Sequence, residues 1–181
     1  MKHWRTLIAV IASVAAIAVV APATAHAAPY CGITWGSLPK SAGALSTDPL
    51  IDVRAGRHNC YDRLVMDLDG DPAGYTVSYV SAVHAPGSGH VVPLRGGAFL
   101  QIDLSAPAYD GNGNPTYRPA NPKELVNVTG WRTFRQLSFA GSFEGYTTIG
   151  LGVRARLPFR VFTLDGPGTD SRVVIDVAHQ W

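Results

Sequence analysis

The side chains best suited to chemistry crowd into one stretch, where Arg54, Arg57, His58, Tyr61, Asp62 and Arg63 bring both charges, an imidazole and a phenol together. His58 and Asp62 stand four residues apart, a spacing that would suit a general base oriented by a carboxylate. A hydrolase built on that pair also needs a nucleophile. The chain has no Gly-x-Ser-x-Gly elbow, no Cys–His pair and no His-Glu-x-x-His segment to supply one. The simpler expectation is structural: His58 and Asp62 hydrogen-bond to backbone and hold the turn, while Arg63 pairs with a carboxylate across a sheet. On this reading the catalytic set is empty, and the six residues are a candidate ligand-binding surface.

Two other constellations invite a site. Asp110-Gly-Asn-Gly-Asn114 places oxygen donors at positions one, three and five of an EF-hand-like loop, but position six is Pro115 rather than Gly and position twelve is Asn121 rather than Glu. A Gly/Asn turn accounts for it better than calcium, and Asp67-x-Asp69-Gly70-Asp71 likewise reads as a strand end and turn. No metal or other cofactor is therefore expected. The aromatic residues Trp35, Tyr61, Tyr109, Tyr117, Trp131 and Tyr146 could stack on sugar rings if two or three share an exposed face, although strand aromatics usually belong to a core. Asn127-Val-Thr129 fits a glycosylation acceptor but falls in an expected strand.

The elements that must carry these residues read as short strands. Leu64, Met66 and Leu68 alternate with Arg63, Val65 and Asp67, which gives a strand over 62–69 with one buried face, after a first strand over 50–54. Residues 75–83 alternate again, and a hairpin with the preceding strand is the economical pairing. Residues 85–97 are expected to loop outward around a short Val91-Val92 pairing, with a strand at 99–104 and a turn-rich loop at 106–122. Further strands are expected at 125–128, 131–140, 146–155, 159–164 and 172–177. No window carries a helical stripe. Many short strands between Gly/Pro turns predict an all-β antiparallel sandwich or barrel. Arg63-Leu-Val-Met-Asp-Leu68 echoes Arg172-Val-Val-Ile-Asp-Val177, which would fit two related sheets with internal pseudo-symmetry, or chance.

The compartment is read from the first residues. Lys2 and Arg5 precede an apolar run from Leu7 to Val20, and Ala25-His26-Ala27 offers a small-x-small cleavage site, so 1–27 is expected to be a signal peptide. The run is shorter than a membrane span of about 20 apolar residues, and no integral anchor is expected after cleavage. Two of the 15 Lys+Arg residues and none of the 13 Asp+Glu residues lie in that leader, leaving 13 against 13 and little support for a nucleic-acid partner. In an exported chain Cys31 and Cys60 read as one disulfide, closing a loop worth about 3–4 kcal/mol on the chain-entropy account. Two free thiols or a half-built metal site are the alternatives, and zinc recruits more ligands at closer spacing. Residues 28–49 form an arm pinned by Cys31 and Trp35, and 50–181 form one domain.

Several of these motifs together resemble the AMIN-like domain of exported proteins in high-GC Gram-positive bacteria, a relative of the AMIN domain of cell-wall amidases. The resemblance rests on Trp35-Gly36-Ser37, Arg54-x-Gly56-x-His58-x-x-Tyr61-Asp62-Arg63-Leu64-Val65, Leu151-Gly152-Val153-Arg154, Pro158-Phe159-Arg160-Val161-Phe162 and Arg172-Val173-Val174-Ile175-Asp176-Val177. It implies a β-sandwich of two small sheets and a non-catalytic targeting role on peptidoglycan. No stretch reads as an amidase or another catalytic domain. The expectation is thus a secreted or envelope-associated binding module for a cell-wall component such as peptidoglycan. A module docking an envelope enzyme is the alternative, and a small hydrolase comes third.

Overall fold

The computed structural model describes residues 29–181; the expected signal peptide lies outside the described residues. After a single 3-10 turn at Tyr30–Gly32, the described chain is built from strands. These are β1 (Lys40–Ala42), β2 (Leu50–Arg57), β3 (Tyr61–Leu68), β4 (Gly74–Val80), β5 (Val83–His84), β6 (Val91–Val92), β7 (Ala98–Ser105), β8 (Phe134–Phe143), β9 (Tyr146–Val153), β10 (Phe159–Asp165) and β11 (Ser171–Ala178). They form a five-stranded sheet in the order β1-β4-β7-β9-β8, a four-stranded sheet in the order β10-β11-β3-β2, and the small β5-β6 hairpin. Every pairing is antiparallel. The fold is an antiparallel β-sandwich.

Period-two alternation makes the core. Leu64, Met66 and Leu68 of β3 and Val173, Ile175 and Val177 of β11 face Val77, Leu100, Ile102, Ile149 and Leu151 of the other sheet, in one continuous buried cluster. Two tyrosines close one side of the sandwich. The Tyr79 hydroxyl donates to Leu157 O at 2.6 Å and accepts from Leu157 N at 3.0 Å, and burial pushes its pKa up to about 12. Tyr75 reaches Val161 O at 3.5 Å.

Three expectations are corrected. The strand after Asp71 does not pair back onto β3, because both edges of β3 are occupied by β2 and β11; the chain crosses instead to the other sheet, where β4 pairs β1 and β7. Residues 125–128 form no strand: they run as a bend and irregular backbone beside β8, with Leu125 N donating to Leu137 O. The two echoed motifs lie side by side in one sheet, with Arg63 opposite Asp176 and Arg172 opposite Asp67, rather than on opposite sheets. The arm is ordered by the Cys31–Cys60 disulfide, by Trp35 Nε1 donating to Tyr30 O at 2.9 Å, and by β1, which adds an edge strand to the five-stranded sheet.

The two outer faces of the sandwich differ. On the five-stranded sheet, Gly150 and Gly152 of β9 leave room for the segment carrying β5 and β6: a Cβ on Gly152 would stand 1.9 Å from Arg95 O, and one on Gly150 2.9 Å from Leu94 Cδ1. Val83 and Leu94 therefore lie against the sheet. Among the described elements none covers the four-stranded sheet in the same way.

Candidate functional site

Strand alternation divides the six sequence-predicted residues between two surfaces. Tyr61 and Arg63 of β3 and Arg54 of β2 stand on the outer face of the four-stranded sheet, whereas Asp62 turns inward at the end of the sandwich and is buried. Asp62 Oδ2 accepts from the backbone N–H of Thr133 at 2.8 Å and of Phe134 at 2.9 Å, and Oδ1 lies 3.2 Å from His179 Nε2. The carboxylate thus ties the start of β8 and the C-terminal segment to β3. Its imidazole partner is His179, not His58. His58 instead stacks on Tyr61 with centroids 4.5 Å apart and borders both surfaces. Arg57 lies over the Trp131 ring at 5.9 Å and joins Arg132, Asn59 and Asp62 around a cavity of about 540 Å³ at that end.

On the outer face the cross-strand register sets out rows of side chains. One row runs Gly56, Arg63, Asp176, Arg160; the next runs Arg54, Val65, Val174, Phe162; the third runs Asp52, Asp67, Arg172, Leu164. Asp176 sits at the centre of the first row with 0% exposure. Arg63 clasps it in a two-pronged pair, Nε to Oδ1 at 2.6 Å and Nη2 to Oδ2 at 2.9 Å, and Arg160 approaches Oδ2 from the other side through Nε at 2.8 Å. The hydrogen bond to Asp176 holds the Arg63 guanidinium above its ordinary pKa. Around this triad stand the rings of Trp35, Tyr61 and Phe162, with Arg160 4.9–5.6 Å from all three centroids. In the other rows Arg54 pairs Asp67 by two bonds of 2.7 Å.

Sequence reasoning missed Arg160, Phe162, Arg172, Asp176 and His179 as site residues. A signal for three of them was present, because the matched Arg-Φ-Val-Φ-Asp strands, laid antiparallel, put each arginine opposite an aspartate, and Arg160 follows from the alternation of β10. His179 carried no such signal.

The remaining candidates settle locally. Asp110 accepts from Asn112 N, Asn114 N and Asn114 Nδ2, which lowers its pKa and satisfies the carboxylate within its own turn. Among the described residues no group of three or more acidic, histidine or cysteine side chains could hold a metal ion. Tyr109 and Tyr117 share a groove of about 520 Å³ with Phe139 and Pro119, but Tyr109 OH already accepts from Gly145 N. Trp131 stacks on Phe134, and Tyr146 stands 45% exposed at the start of β9.

A family model, the AMIN-like domain, matches residues 48–179, from just before β2 to just past β11. The chain belongs to the AMIN-like domain family. Membership places this AMIN-like domain among cell-wall-associated, amidase-related, extracytoplasmic modules, which are non-catalytic as a class. No helix among the described residues is long and apolar enough to cross a membrane. No curated protein and no solved structure matches the chain.

Proposed function

We propose that this AMIN-like domain is a secreted, non-catalytic binding module that recognises a cell-wall component, peptidoglycan foremost, through the outer face of its four-stranded sheet. One observation carries the reading: of the two outer faces, one is covered by the β5–β6 segment and the other presents Arg54, Arg63, Arg160 and Arg172 among Trp35, Tyr61 and Phe162. Guanidinium forks donate to hydroxyls, amides and carboxylates in fixed geometry, and ring edges between them add apolar contact, which suits a substituted sugar carrying a peptide.

The test is sedimentation of the mature protein with insoluble peptidoglycan stripped of protein and secondary polymers, beside folded Arg54→Gln and Trp35→Ala variants. Wild type should pellet, and the variants should remain in the supernatant. If none pellets, direct wall binding is wrong, and an envelope protein becomes the partner to seek.

A further inference from the structure

Within the open face lies a groove of about 290 Å³ lined by Arg54, Arg63, Arg172, Val65, Val174 and Leu164. Its floor is apolar, formed by the paired residues Val65 and Val174. Its rim is cationic and unevenly compensated. Asp67 is engaged by Arg54 and Asp176 by Arg63 and Arg160, whereas Arg172 has no ion-pair partner among the described residues. Arg172 Nη2 donates only to the backbone oxygen of Asp165, at 2.9 Å, and its Nε is buried without a partner. Arg172 Nη1 has no hydrogen-bond partner among the described residues, so the guanidinium keeps a charged donor that an oxyanion arriving in the groove can engage. The wall of the groove opposite Arg63 is Gly56, which has no side chain to fill it.

We propose that this groove binds the carboxylate of a peptide end bearing a small alkyl side chain, with Arg172 as the principal donor, Arg54 and Arg63 beside it, and the alkyl group on Val65 and Val174. The inference rests on the wall-binding reading and names the group recognised there: the stem-peptide terminus rather than the sugar. A planar carboxylate matches the guanidinium fork in two parallel hydrogen bonds, and a 290 Å³ groove takes one or two small residues, not a disaccharide. Inorganic phosphate shares the oxyanion chemistry and is the other source to distinguish.

The probes are N-acetyl-D-alanyl-D-alanine, its C-terminal amide and inorganic phosphate, titrated by calorimetry into wild type, Arg172→Gln, Arg172→Lys and Gly56→Val. A Cβ at Gly56 meets only His58 Nε2, at 3.8 Å, so the position has room for a side chain to enter the groove. The acid should bind about tenfold or more tighter than the amide, consistent with the strength of hydrogen bonds to charged groups. That preference should vanish in Arg172→Gln, fall in Arg172→Lys, which keeps charge but loses the fork, and be blocked in Gly56→Val. Equal binding of acid and amide, or an acid preference that survives Arg172→Gln in a folded protein, overturns the proposal. So does phosphate binding that depends on Arg172 while neither peptide binds, since the oxyanion is then not a peptide end. Insoluble peptidoglycan pelleting wild type while the peptides fail removes the groove assignment and leaves the wall-binding reading standing; failure to pellet removes the latter.

Discussion

Replacing Asp176 with Asn should be among the most damaging single changes on the outer face. The carboxylate has 0% exposure and joins two guanidiniums, Arg63 at 2.6 Å and Arg160 at 2.7 Å. Removing one partner of a buried pair typically costs about 3–5 kcal/mol, because the remaining charge is left uncompensated. Here the orphaned cations are 22% and 32% exposed, so water recovers part of the loss, and about 2–4 kcal/mol is expected. For a domain of this size that is a fall in Tm of roughly 5–12 °C. Urea and thermal unfolding of wild type and Asp176→Asn measure it directly. A triple variant, Arg63→Met/Arg160→Met/Asp176→Leu, removes the charges together and should lie within about 1 kcal/mol of wild type, since a packed apolar substitute avoids the desolvation cost. If Asp176→Asn costs less than about 1 kcal/mol, or the triple variant is as unstable as the single one, the triad does not organise this face.

Gly152→Ala should cost about 1–3 kcal/mol and speed hydrogen exchange over residues 81–97, because its Cβ would meet Arg95 O at 1.9 Å, whereas Gly56→Ala should be near neutral. Removing the disulfide as Cys31→Ser/Cys60→Ser should cost about 3–4 kcal/mol in chemical denaturation, the loop-closure value for a separation of 29 residues. Tyr79 is protonated more readily folded than unfolded, so its contribution is complete below pH 10.0 and lost as pH rises towards about 12; stability should fall over that window, and less steeply in Tyr79→Phe. Tyr117, likewise raised to about 12, adds to the same fall. Calcium and EDTA should leave Tm unmoved, because Asp110 is satisfied within its own turn.

The strands were legible because alternation is written locally: Leu64, Met66 and Leu68 identify β3 and its buried face without reference to any partner. Which strand pairs with which was not local. The 62–69 and 75–83 segments looked like a hairpin, and only the competing edges contributed by β2 and β11 send β4 to the other sheet. The polar turn between β2 and β3 is legible in the sequence, but adjacent residues of a strand face opposite sides, so Tyr61 and Arg63 part from Asp62. The Arg–Asp echo held the missing information. Its meaning depended on an antiparallel register that joins residues 113 apart in sequence, Arg63 and Asp176.

The proposed binding surface is the open face of the four-stranded sheet. The most direct measurement is an amide and Arg side-chain NMR titration of isotopically labelled residues 28–181 with a soluble disaccharide-peptide fragment of peptidoglycan. Saturable shifts are expected at Arg54, Tyr61, Arg63, Val65, Arg160, Arg172 and Val174, with Gly150, Gly152 and the β5–β6 segment unmoved. Shifts confined to that covered face or to the groove beside Tyr109 and Tyr117, or none at millimolar fragment, would contradict it.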